Sequence, residues 1–118
     1  MKLLTEQEIT KHKDALLLAL DEKKAIDVVS LEIQEKSSIG DYLVITSGNS
    51  RPHTQALSHE IQSYAKEQEL TYHVEGGGEG NWILVDLGFI IIHIMQAEAR
   101  EFYNLEQLWS HHAEDDDA

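Results

Sequence analysis

Ser50, His53 and Asp86 are the residue types of a hydrolytic triad, in which a base activates a hydroxyl and a carboxylate orients the base. Their context argues against it. Ser47-Gly48-Asn49-Ser50-Arg51 is not the G-x-S-x-G elbow that holds a nucleophile on a strained turn. Ser50, with Pro52 close behind it, reads more simply as a helix N-cap. The run Gly76-Gly77-Gly78-Glu79-Gly80-Asn81 is a second candidate. A phosphate cradle needs a lysine and a hydroxyl after the glycines, and a helix whose N-terminus faces the anion. This run follows Glu75, contains Glu79 and leads into strand-like sequence at Trp82, so it reads as a flexible inter-strand loop. Among the seven histidines, His53 and His59 are six apart, off the i, i+4 spacing of a helical metal pair. His93, inside Ile90-Ile91-Ile92-His93-Ile94-Met95, reads as a hydrogen-bonded structural residue. His111-His112 stands beside an acidic tail that is expected to be disordered. The absence of cysteine excludes disulfides, thiolate metal sites and cysteine nucleophiles. No catalytic constellation remains, and neither metal nor cofactor is expected.

The elements that position these residues follow from periodicity. Thr5-Glu6-Gln7-Glu8 fits a capping box, and Ile9, Leu16, Ala19 and Leu20 recur at helical spacing, which predicts a helix over about Thr5–Leu20. Asp21-Glu22-Lys23-Lys24 is a polar hinge. Val29, Leu31 and Ile33 alternate with polar residues, predicting a strand over Ile26–Ile33. After a turn at Lys36–Asp41, Tyr42-Leu43-Val44-Ile45-Thr46 reads as a strand buried on both faces. Ala56, Leu57, Ile61, Tyr64 and Ala65 define one face of a second helix, from Ser50 to about Glu69. Leu70–Val74 is a short strand candidate. Trp82–Asp86 and Phe89–Met95, with Leu87-Gly88 between them, predict a tight antiparallel hairpin. A short helix over Ala97–Tyr103 and a packed turn at Leu105–Trp109 complete the domain, taken as residues 1–110. Residues 111–118 form a solvated acidic tail. The order α-β-β-α-β-β-β-α predicts an α/β sandwich with a mixed sheet of about five strands flanked by helices.

Charge narrows the function. The chain has 118 residues, a single-domain length, and a net charge of -13. Residues 1–24 carry five lysines and five acids, so all the excess lies beyond them: Lys36, Arg51, Lys66 and Arg100 face seventeen acids. Such a body repels phosphate and lacks the basic stripe that nucleic-acid binding requires. It would attract a basic protein partner, or the charge serves solubility alone. Nothing marks a secretory signal, and no apolar run approaches the roughly 20 residues of a membrane span. A cytoplasmic protein is expected.

Several segments together carry a family resemblance. They are Asp41-Tyr42-Leu43-Val44-Ile45, Ser47-Gly48-Asn49-Ser50, Glu75-Gly76, Trp82-Ile83-Leu84-Val85-Asp86-Leu87-Gly88, Ile92-His93-Ile94-Met95 and Arg100-Glu101-Phe102-Tyr103-Asn104-Leu105-Glu106-Gln107-Leu108-Trp109. Across Ala25–Ser110 the chain resembles the ribosomal silencing factor (Iojap) family. It departs from the family pattern at Phe89, where an aspartate is usual, and at Pro52, which stands at a usual arginine position with Arg51 one residue earlier. The resemblance implies a nucleotidyltransferase-like sandwich and a translational repressor. Such a repressor binds the large ribosomal subunit through ribosomal protein L-fourteen and blocks joining of the small subunit under nutrient limitation. The nucleotidyltransferase relationship brings no chemistry with it, because no Asp-x-Asp pair follows Gly48-x-Ser50 to hold Mg²⁺. Two alternatives are a degenerate nucleotidyltransferase-like enzyme and a homodimeric scaffold, and a homodimer of the free protein is itself expected.

The partner site is expected around Trp82, which is either an interface anchor or a core plug. Glu75, Asp86 and Glu106 would supply negative charge, Tyr42 and Tyr103 would be aromatic neighbours, and Arg51 would be a surface contact. An indole left accessible by the glycine loop predicts that Trp82→Ala weakens partner binding with little effect on thermal stability.

Overall fold

The computed structural model describes residues 4–32, 42–76, 81–97 and 100. The expected turn at 36–41, the packed turn at 105–109 and the acidic tail lie outside the described residues, as does most of the helix expected over 97–103.

Helix α1 spans Glu6–Glu22 and opens as the sequence predicts. The Thr5 hydroxyl accepts from the Glu8 amide at 3.1 Å, while the Thr5 amide donates to Glu8 Oε1 at 3.0 Å. A cap of this kind stabilises a helix by about 1 kcal/mol. His12, Leu16 and Leu20, four residues apart, form its buried line. The helix runs two residues further than expected, through what reads as a polar hinge. Strand β1 (Ile26–Glu32) follows, then β2 (Tyr42–Gly48) and helix α2 (Arg51–Glu67). The Ser50 hydroxyl accepts from the His53 amide at 3.2 Å, and Pro52 occupies the first turn. Thr54, Leu57, Ser58, Ile61 and Ala65 are the buried face of α2. Three further strands complete the described fold: β3 (His73–Glu75), β4 (Trp82–Asp86) and β5 (Ile90–Gln96).

The strands form one five-stranded mixed sheet of order β1-β2-β5-β4-β3. β2 and β5 are parallel, and the other pairings are antiparallel. A parallel pair requires a crossover, which α2, β3 and β4 supply. Both helices pack on one face of the sheet. Leu16, Leu20, Leu57, Ile61 and Ala65 meet Val44, Ile83, Val85, Ile90, Ile92 and Ile94 there. Leu43, Ile45, Ile91 and Met95, with Leu31, Trp82 and Leu84 against them, form a second apolar layer on the other face. β2 and β5 are therefore buried on both sides, which explains their unbroken runs of apolar residues.

Three local features depart from the simplest reading. Leu70 is not in a strand. Its amide donates to the Ala65 carbonyl at 2.8 Å and Glu69 sits at φ 58°, which is a Schellman cap on α2. Leu70 is apolar because it closes the helix onto the core, and β3 begins only at His73. Helix α1 ends the same way, with Lys24 at φ 61° and the Ala25 amide on the Leu20 carbonyl at 2.9 Å. The hairpin loop is Gly88-Phe89 rather than Leu87-Gly88. The Leu87 amide pairs with the Ile90 carbonyl at 2.9 Å, and Asp86 Oδ1 accepts from the Gly88 amide at 2.8 Å. Gly88 lies at φ 89°, which favours glycine. Phe89 packs against the helix-side core, its ring 5.8 Å from that of His12.

Candidate functional site

Trp82 opens β4 on the sheet face opposite to α1 and α2, paired with Met95 of β5. Side chains two apart on a strand share a face, so His93 is its diagonal neighbour. The Trp82 indole Nε1–H donates to His93 Nδ1 at 2.9 Å, with ring centroids 5.7 Å apart. His93 is only 9% exposed, and burial lowers its pKa from 6.5 to about 4. The imidazole is therefore neutral at pH 7. Because Nδ1 accepts from the indole, the ring hydrogen resides on Nε2. Trp82 itself is half-buried at the edge of the apolar layer that contains Met95, its direct cross-strand partner. The glycine loop predicts an accessible indole; the ring is partly covered, and its N–H is engaged by His93.

Two of the expected acidic partners share that face. Register places Glu75 opposite Leu84, and Asp86 opposite both Ile91 and His73. Glu75 is exposed, with its Oε1 3.5 Å from His73 Nε2. Asp86 is half-buried and spends one oxygen on the hairpin turn. It stands at the far end of β4 from Trp82, about 13 Å away along the strand. Tyr42 is on the opposite side. It packs with the helix-side core, and Lys13 Nζ lies 4.8 Å from its ring centroid. Arg51 is exposed in the first turn of α2. That turn follows the end of β2, and the pairing of Gly48 with Gln96 puts it at the same end of the sheet as Trp82. Tyr103 and Glu106 lie outside the described residues.

The triad types are not assembled. His53 Nδ1 accepts from the Asn49 amide at 2.9 Å, and its Nε2 meets the Lys23 carbonyl at 2.9 Å. Nδ1 thus closes the β2–α2 junction and Nε2 ties the start of α2 to the end of α1, while Asp86 serves the distant hairpin. Among the described residues no three histidine or acidic side chains gather as metal ligands. No described helix is long and apolar enough to cross a membrane.

The family model for the ribosomal silencing factor during starvation matches residues 6–118. The chain belongs to the ribosomal silencing factor family. It is 40% identical over 92 residues to a ribosomal silencing factor of Halalkalibacterium halodurans, covering 77% of this chain and 79% of that one. A ribosomal silencing factor of Haemophilus influenzae is 40% identical over 96 residues, covering 80% and 94%. A crystal structure of a Chromobacterium violaceum protein superposes with a TM-score of 0.84 at 29% identity, covering 87% of each chain. Another, from Bacillus halodurans, gives a TM-score of 0.77 at 36% identity, covering 85% and 94%. The mixed-sheet α/β fold is therefore that of solved structures, and the family assigns the chain a regulatory, ribosome-associated silencing role.

Sequence reasoning in this family pattern singles out Trp82 and reads His93 as structural, but it does not join them. The signal was available. Closing the hairpin at Leu87 and Ile90 makes every paired number sum to 177, which sets Trp82 diagonal to His93 on one face.

Proposed function

We propose that this chain is a translational repressor that binds the large ribosomal subunit through ribosomal protein L-fourteen. It occupies the surface where the small subunit docks and so lowers translation when nutrients are scarce. It acts in the cytoplasm, stoichiometrically and without catalysis, through one domain over residues 1–110 with an acidic tail at 111–118. Free of the ribosome, it forms a homodimer.

The observation that carries this reading is Trp82, a half-buried aromatic on the face shared with Glu75 and Asp86 in a chain of net charge -13. A large, ordered aromatic that shares its face with the exposed Glu75, on a strongly acidic chain, suits a basic protein partner, and it suits ribosomal RNA poorly. Tyr42 contributes by shaping the sheet from its helix side, Arg51 by its place at the Trp82 end, and Tyr103 and Glu106 as further contacts.

Sedimentation with purified large subunits tests the reading. Binding should saturate near one protein per subunit, compete with small-subunit joining, and be reproduced by isolated ribosomal protein L-fourteen. Potent inhibition far below that ratio would indicate an enzyme instead.

A further inference from the structure

Trp82 brings one hydrogen-bond donor to any contact, its indole N–H, and in this fold that donor is already engaged. The acceptor is Nδ1 of His93, on the neighbouring strand and two residues from the pair directly opposite Trp82. We infer that His93 is the positioning residue of the partner site: it holds the indole N–H inward, so that the partner meets the apolar and π surface of the ring and no donor. This rests on the reading of Trp82 as the interface anchor.

Three observations support it. The 2.9 Å distance is a full N–H···N hydrogen bond, not an incidental approach. His93 sits in the row Ile45–His93–Leu84, on strands anchored by pairing on both sides, so the acceptor is rigid. Burial keeps the imidazole unprotonated at neutral pH, and a protonated ring would present a hydrogen at Nδ1 where an acceptor is needed. An indole free to rotate would lose rotamer entropy on every binding event; one already tied down has lost it on folding. The partner group that suits such a ring is an aliphatic side chain, or a lysine or arginine stacked on its face. A carbonyl seeking the N–H does not suit it.

Two substitutions separate positioning from mere packing. His93→Leu removes the acceptor, whereas His93→Asn retains an oxygen near the place of Nδ1. In protein labelled with ¹⁵N at the indoles, the Trp82 resonance is identified by its loss in Trp82→Phe. His93→Leu should shift that resonance and raise its solvent exchange, and His93→Asn should restore much of the protection. Binding to large subunits should weaken about tenfold in His93→Leu, the scale of one lost hydrogen bond, and less in His93→Asn. In a Trp82→Phe background, where no N–H needs holding, His93→Leu should cost little further affinity. An unaltered indole resonance in His93→Leu, or an equal affinity loss in both backgrounds, would overturn the positioning role. A released indole with unchanged subunit binding would overturn the positioning role, and full affinity of Trp82→Phe as well would overturn the reading of Trp82 as the anchor.

Discussion

His12 and Tyr64 join the two helices: His12 Nδ1 and the Tyr64 hydroxyl share a hydrogen bond of 2.7 Å, with the rings edge to face at 5.7 Å. Burial raises the Tyr64 pKa, so the phenol stays protonated through neutral pH. Tyr64→Phe should lower unfolding free energy by about 1–2 kcal/mol, because it leaves a buried imidazole nitrogen short of its partner. The double variant Tyr64→Phe/His12→Leu should recover part of that loss, since both polar groups are then gone. Chemical denaturation of the three variants checks this, and strictly additive losses would count against a direct bond.

Both helices end on residues in the left-handed region that are not glycine, Lys24 and Glu69. A side chain there costs on the order of 1 kcal/mol. Glu69→Gly and Lys24→Gly should each stabilise the protein by about 0.5–1 kcal/mol, seen as a higher Tm. A lower Tm in both would show that the side chains contribute more than the backbone strain they bring.

Gly48 permits the abrupt step from β2 into α2. A Cβ there would stand 2.8 Å from Thr54 Cγ2 and 2.9 Å from the Thr54 backbone nitrogen. Gly48→Ala should cost about 2 kcal/mol, in the range of overpacked cores. Adding Thr54→Ser removes the methyl but not the backbone clash, so it should restore stability only in part. Thermal melts of the single and double variants measure both effects.

The depressed pKa of His93 makes stability pH-dependent in a definite window. The unfolded imidazole takes up a proton near pH 6.5, whereas the folded one resists until about pH 4. Its contribution is complete above pH 6.5, declines as the pH falls, and is gone by about pH 4, a total of about 3 kcal/mol. His93→Asn should flatten the stability profile across that interval relative to the wild type. Parallel profiles for the two proteins would mean that the buried imidazole is not held neutral.

Trp82→Ala should damage both stability and binding. It empties part of the apolar layer that contains Met95 and strands the His93 acceptor, at about 3 kcal/mol. Trp82→Phe, which keeps most of the area, should cost less in Tm than in affinity for the large subunit. Calorimetry and sedimentation of the two variants separate the roles. A Phe variant with full affinity would make Trp82 a packing residue.

Much of the fold was legible because periodicity and capping are local. Thr5-x-x-Glu8 and Ser50 with Pro52 announce the helix starts, and the unbroken runs at 42–46 and 90–95 announce strands buried on both faces. The helix ends were not legible, since Lys24 and Glu69 carry no sign of the left-handed backbone that their neighbours' hydrogen bonds impose. Leu70 looked like strand because apolar character records burial and not the geometry that achieves it.

For the site, sequence alone determined the family, the acidic balance and the prominence of Trp82, each of which depends only on which residues are present and how they are spaced. The tertiary structure decided which of them meet. It put Trp82, Glu75 and Asp86 on one face, Tyr42 on the other, and the indole N–H on His93. Those relations depend on sheet order and register: moving the hairpin loop by a single residue shifts every cross-strand pair by two. A hydrogen bond between residues 82 and 93 exists only once β4 and β5 are aligned, and the burial that keeps His93 neutral exists only once the sheet is packed.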